Sequence, residues 1–146
     1  HRILVKRVLN AWGITRSGNK VEAILSDEIQ KLGAVRTEGN GSCFYWAPGM
    51  EPEQFAVYRV AVNDESRRTM DDICPEEIAN AVCEVLEQQI SLTYADLVRE
   101  TAKKFGFTRM GTVIDNAVNA GIETAKMHKR LTVDQNRITL LDAVSE

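Results

Sequence analysis

The hexapeptide Gly13-Ile14-Thr15-Arg16-Ser17-Gly18 returns as Gly106-Phe107-Thr108-Arg109-Met110-Gly111, 93 residues further along the chain. The same offset aligns Leu4 with Leu97, Val5 with Val98, Lys6 with Arg99 and Trp12 with Phe105 on one side. On the other it aligns Val21 with Ile114, Leu25 with Val118, Ile29 with Ile122 and Leu32 with Ala125. An apolar pattern that keeps register on both sides of a short match marks one structural unit made twice. Two copies fall short of the three or more that a solenoid needs, so the repeat predicts a tandem pair of small units. A chain of 146 residues has room for two such units sharing a core.

The second copy is the fuller one. Pro75 suits a first helical turn, Glu76 and Glu77 suit the positive end of a helix dipole, and Ile78, Val82, Val85 and Leu86 fall on one face, which predicts a helix over 75–89. Ile90-Ser91-Leu92 reads as a short extended link. Thr93 with Asp96 forms a capping box for a second helix, whose buried stripe is Leu97, Val98, Thr101, Ala102 and Phe105. Gly106 ends that helix. Thr108 is the expected cap of a third, with Val113, Ile114, Ala117, Val118, Gly121, Ile122 and Ala125 facing inward. G-x-T-R-x-G is then a helix–turn–helix corner in which the first Gly stops one helix, Thr starts the next, and the last Gly lets the backbones approach closely. Leu131–Val133 and Arg137–Leu140 alternate with period two around turn residues 134–136 and predict a hairpin.

The first copy repeats these parts without the first helix. Residues 2 to about 12 match the second helix, 15 to about 32 the third, and 34–37 with 42–46 a hairpin around Glu38-Gly39-Asn40-Gly41. The expected fold is therefore mainly helical with small β-hairpins, an α+β pair of winged-helix units. Residues 1–50 form a partial unit, 51–73 a connector with a strand at 55–62, and 74–146 a complete unit. The chain opens inside a domain on this reading, and the apolar face left by the missing helix needs cover, for which the connector strand is the candidate.

"LNAWGITRSGNKVEAIL", "ICPEEIANAV" and "DLVRETAKKFGFTRMGTVIDNAV" together resemble the domain of unknown function 3320 family, the C-terminal region of large bacterial superfamily 1 helicase-like proteins. The resemblance covers nearly the whole chain, with W-G-x-x-R-x-G and P-E-E-I-A-N-A its most specific elements. It implies an accessory segment of a DNA-dependent ATPase, acting in the cytoplasm beside the helicase-type ATPase portion of the same polypeptide. The chain has no G-x-x-x-x-G-K-[ST], so helicase activity does not carry over to these residues.

The residues themselves supply no catalytic constellation. An apolar fraction of 44% and a charged fraction of 27% describe an ordinary soluble globular protein, and no apolar run approaches the ~18 residues of a membrane span. Cys43, Cys74 and Cys83 are odd in number and lack CxxC spacing, which argues against disulfides and zinc and for a reducing, cytoplasmic setting. Cys74 stands before a helix-starting Pro, where a thiol pKa can fall, but no His or Asn partner accompanies it. Glu76-Glu77 and Asp71-Asp72 are explained by helix starts, and His128 by a basic surface tail. No catalytic residue, metal ligand or cofactor is expected.

Charge points elsewhere. The formal net charge is −3, yet residues 2–36 hold seven Lys/Arg against three Asp/Glu, and 99–130 again seven against three. Residues 38–96 hold three against twelve. Both corners are locally basic, as phosphate contact requires. Arg16 and Arg109 are the expected phosphate holders, joined by Asn19, Lys20, Arg36, Thr112, Asn116, Lys126 and Arg137 as a DNA-binding set. The partner expected is duplex or forked DNA, bound weakly and without sequence preference. The alternatives are that Arg16 and Arg109 pair with carboxylates of their own units, and that the units dock protein, with Phe44-Tyr45-Trp46 as an aromatic anchor.

Overall fold

Helices α1 (Arg2–Ala11) and α2 (Asn19–Lys31) bury Val5, Leu9, Leu25 and Ile29 against each other, and the hairpin of β1 (Arg36–Gly39) and β2 (Ser42–Tyr45) lends Tyr45 to that small core. This is the first half of a computed structural model that describes residues 1–141; residues 142–146, assigned by sequence to the second unit, lie outside the described residues. The larger core belongs to α3 (Pro75–Gln89), α4 (Tyr94–Lys104) and α5 (Thr112–Met127), with strands β3 (Ser91–Thr93), β4 (Leu131–Asp134) and β5 (Arg137–Leu140). Those strands form an antiparallel sheet in the order β3-β5-β4, while β1 and β2 pair by themselves. The architecture is mixed α+β, with five helices and two small antiparallel sheets among the described residues. No helix among them is long and apolar enough to cross a membrane.

The 93-residue spacing recurs in where the helices begin along the chain. Helices α2 and α5 begin 93 residues apart, and shifting α4 back by 93 lays it over α1 to within one residue at its start. The hairpins depart from that spacing by two residues because α5 runs on past the point where α2 stops. The turn of the first hairpin is Asn40-Gly41, both at positive φ (53° and 75°), as a two-residue type I′ turn demands. Its first strand starts two residues later than expected because the turn, rather than the apolar residues Ala34 and Val35, sets the register, while the second starts at Ser42 as expected.

Four sequence expectations need correction. Thr15 and Thr108 do not cap helices: α2 and α5 start at Asn19 and Thr112, with Gly18 and Gly111 as N-caps and no side-chain cap on either. Those two glycines make no close helix contact, since a Cβ on either would meet nothing within 4 Å. The residues at 55–62 pair with no strand. They lie extended along α3, where the Asn80 amide donates to the carbonyls of Phe55 and Val57 at 2.8 and 2.9 Å and Glu77 accepts the Arg59 amide at 2.7 Å. Side chains of α3 thus satisfy backbone groups that the alternating pattern alone would assign to a sheet. The link at Ile90-Ser91-Leu92 also shifts: Ile90 is the C-cap of α3 at φ 66°, and 91–93 become a third strand on β5.

Thr93 does cap α4. Its hydroxyl accepts the Asp96 amide at 3.3 Å and donates to the Asp96 carboxylate at 2.8 Å. Thr93→Ala is expected to cost about 1 kcal/mol, lowering the melting temperature by roughly 2–4 °C for a chain of this size. Thr108→Ala, which removes no cap, should change the same melt by less than about 0.5 kcal/mol. Equal effects of the two would contradict the assignment.

Candidate nucleic-acid interface

Each corner begins with the same helix stop. Trp12 and Phe105 are C-caps with φ/ψ of −92°/6° and −91°/4°, followed by Gly13 and Gly106 at φ 73° and 84°. Gly13 donates to the Asn10 carbonyl at 3.0 Å and Ile14 to that of Leu9 at 2.9 Å; Gly106 donates to Lys103 at 2.9 Å and Phe107 to Ala102 at 3.0 Å. These paired bonds form a Schellman motif at both sites, and the residue after the glycine packs back on its own core, Ile14 in one unit and Phe107 in the other. The corner is thus closed by backbone geometry that a glycine at positive φ permits.

The segment after the stop carries Thr15, Arg16 and Thr108, Arg109, all exposed. Neither Arg16 nor Arg109 has a carboxylate within salt-bridge distance among the described residues. The internal pairing considered for them is therefore absent there. Asn19, Lys20 and Thr112 stand in the first turns of α2 and α5, and Asn116 one turn on, all exposed, and Lys20 likewise lacks an acidic partner. Because no side chain caps these helices, their first amides are open to an outside acceptor. Glu22 and Asp115 in the same first turns act against an anion; Glu22 is held at 2.7 Å by the Ser17 hydroxyl.

The remaining candidates are not brought to the corners as free charges. Arg36 pairs with Glu38 at 3.6 Å and Lys126 with Glu123 at 3.8 Å. Arg137 spans the sheet to β3, donating to the Ser91 hydroxyl at 2.8 Å. The local excess of positive charge is likewise reduced by exposed pairs such as Lys31–Glu28, Arg99–Asp96 and Lys103–Glu100. Lys6 and Arg7 on α1, which the motif-centred reading passed over, are exposed and have no carboxylate partner among the described residues.

Of the groups weighed for catalysis, Cys74 and Glu77 sit in structural settings, whereas Glu76 keeps one buried carboxylate oxygen without a hydrogen-bond partner among the described residues. Cys74 is the N-cap of α3, but burial pushes its thiol up to about 12, the reverse of an activated nucleophile. Glu77 is wholly buried. Burial alone drives its carboxyl up, and the hydrogen bonds from Arg68 and Arg59, with their charges, more than offset this and hold it at about 2. Arg68 reaches both carboxylate oxygens at 2.7 and 2.9 Å, and the Arg59 guanidinium also reaches both, at 3.2 and 2.9 Å. That cluster clips the connector to α3, and the Cys74 sulfur lies beside it, 4.0 Å from the Glu77 carboxylate. Of the three aromatics considered for docking, Trp46 is buried against Phe55 with its indole donating to Thr37 at 3.0 Å, whereas Phe44 and Tyr45 are half-buried. All three line a cavity of about 480 Å³ that also takes in Leu4, Arg7 and Val57.

Compared with models of known protein families, with curated proteins and with solved structures, the chain matches none.

Proposed function

We propose that this chain is a non-catalytic, DNA-contacting module made of two winged-helix-like units, serving as an accessory part of a helicase-like ATPase in the cytoplasm. The observation that carries the reading is the twofold occurrence of one arrangement: an exposed arginine without an acidic partner, set between a Schellman stop and an uncapped helix N-terminus. Phosphate oxygens suit such a corner because they accept both from a guanidinium and from free helix amides. Two corners on one chain would contact backbone rather than bases, which gives affinity with little sequence preference. The helicase association rests on the resemblance of the motif stretches alone. The order helix, strand, helix, helix, hairpin in the second unit supports the winged-helix description.

The test is a titration of the protein against duplex and forked DNA at rising salt. Binding is expected at ~10⁻⁴ to 10⁻⁶ M, falling as salt rises and varying little between sequences. Arg16→Glu and Arg109→Glu should each weaken it similarly for all sequences. Each should also flatten the salt dependence by more than one phosphate's share, because a cation is lost and an anion gained. The melting temperature should stay put, since both side chains are exposed and have no acidic partner among the described residues. A folded protein that shows no binding at ~50 mM salt would refute the proposal.

A protein-docking function is the second reading, and one observation favours it. Trp12, which aligns with the buried Phe105, is 66% exposed where Phe105 is 8%.

A further inference from the structure

The connector touches the first unit through Phe55 on Trp46 and Asp72 beside Arg2, yet one face of α2 stays exposed, and the two copies together indicate what would cover it. In the second unit α3 lies across α5, close enough that a Cβ on Gly121 would stand 2.4 Å from Ile78 Cγ2. Ala117, Gly121 and Ala125, one stripe of α5, are buried beneath it. Moved back by 93 residues, that stripe is Ile24, Glu28 and Leu32 of α2. Ile24 is 55% and Leu32 75% exposed, where Ala117 and Ala125 are fully buried. Val21, the counterpart of the half-buried Ile114, extends the stripe by another turn and is exposed too. Leu25 and Ile29, which face α1 instead, are buried in both copies' sense, like Val118 and Ile122. The exposure is therefore confined to the face that α3 covers in the other unit.

A second observation concerns the sheet. In the second unit β3 leads into α4 from the edge of β5, with Thr93 opposite Arg137. In the first, β2 has only β1 beside it, and the His1 amine, at the entry to α1, donates to the Cys43 carbonyl on β2. His1 at the entry to α1 thus sits beside the strand that matches β5, as Thr93 at the entry to α4 sits beside β5 itself.

We propose that the stripe Val21, Ile24 and Leu32, together with Trp12, the exposed counterpart of the buried Phe105, is the seat of an amphipathic helix of the same chemistry as α3, joined to α1 through a short strand on β2. The occupant must carry a small side chain where α3 has Ile78, because Glu28 stands in place of Gly121 and forbids the same close approach. The inference draws on the equivalence of the two units and not on DNA binding, so a negative DNA titration leaves it intact.

The test joins a second copy of residues 75–93, carrying Ile78→Ala, directly ahead of His1, which places the added segment in the register of the second unit. Trp46 is 7% exposed, so acrylamide quenching of tryptophan fluorescence reports mainly on Trp12. In the fusion that quenching should fall several-fold, the emission should shift to the blue, and amide exchange in α2 should slow. Introducing Ile24→Asp with Leu32→Asp should abolish all three changes while leaving exchange in α5 as before, which shows that the second unit stays folded. A fusion in which Trp12 stays as accessible as in the parent chain would overturn the proposal. So would a parent chain that self-associates in sedimentation and loses that association with the same two substitutions, because a second copy would then own the face.

Discussion

Glu77→Ala is expected to cost about 3–5 kcal/mol, the range for removing one partner of a buried charge cluster, against a total stability of roughly 7–15 kcal/mol for a domain of this kind. The substitution strands Arg68, whose side chain is only 11% exposed, and leaves the Arg59 amide without the acceptor it now has at 2.7 Å. Arg59 itself is mostly solvated and can turn to water, which places the loss nearer the lower end. Urea unfolding should show a lower midpoint with little change in slope, and amide exchange at Arg59 should accelerate more than in the centre of α4, because the connector is released from α3 first. Glu77→Leu with Arg68→Met should recover part of the loss, since an apolar pair of similar volume avoids the desolvation that the ions incur. A single substitution within about 0.5 kcal/mol of the parent would show that the cluster does not hold the connector.

The same cluster sets an acid limit. The Glu77 carboxyl lies at about 2 in the folded protein against an ordinary value of 4.5. A depressed carboxylate stabilises the fold fully above its unfolded pKa and loses that contribution as pH falls through its folded pKa. Stability should accordingly drop by roughly 2–3 kcal/mol between about pH 5 and pH 2 on this account. The Glu77→Gln variant should be flatter over that window, and identical acid profiles for the two proteins would rule the carboxylate out as the source.

The second large effect is expected at Gly121. A methyl there would lie 2.8 Å from Ile78 Cβ and 3.1 Å from the backbone nitrogen of Ala79. Helix propensity favours Ala over Gly by about 1 kcal/mol, but overpacking costs about 1–3 kcal/mol and here the obstacle is backbone and a branched Cβ rather than a flexible tip. The steric term wins, so Gly121→Ala should destabilise, and Gly121→Leu should separate α3 from α5 and take the melting temperature down by at least several degrees. Glu28→Ala, at the matching position of the first unit, should be neutral within about 0.5 kcal/mol because nothing lies over it. Thermal melts of the three variants decide the matter, and a stabilised Gly121→Ala would contradict the close approach.

Much of the local structure is written in short stretches. The 93-residue register, the Thr93–Asp96 capping box, the Asn40-Gly41 turn and the glycine stops at Gly13 and Gly106 each depend on residues within a turn or two of one another, so their chemistry is complete in the sequence. Arg16 and Arg109 were legible as paired candidates for the same reason: they belong to the repeated phrase. Their lack of acidic partners was not, because Arg36 and Lys126, in equally basic stretches, do find carboxylates.

The tertiary structure alone decided which surfaces are covered. Residues 55–62 have the alternation of a strand, but Asn80 and Glu77 on α3 take their backbone groups before any strand can. Thr15 and Thr108 have the chemistry of caps, yet each helix waits until the glycine three residues on, because the Schellman stop and the packing of Ile14 and Phe107 fix where the chain leaves the corner. Trp12 and Phe105 carry equivalent signals in sequence and end in opposite environments. Apolar periodicity states which face of a helix favours burial; whether it is buried depends on a partner that reaches it from elsewhere in the chain, and α3 covers α5 while leaving the matching face of α2 exposed.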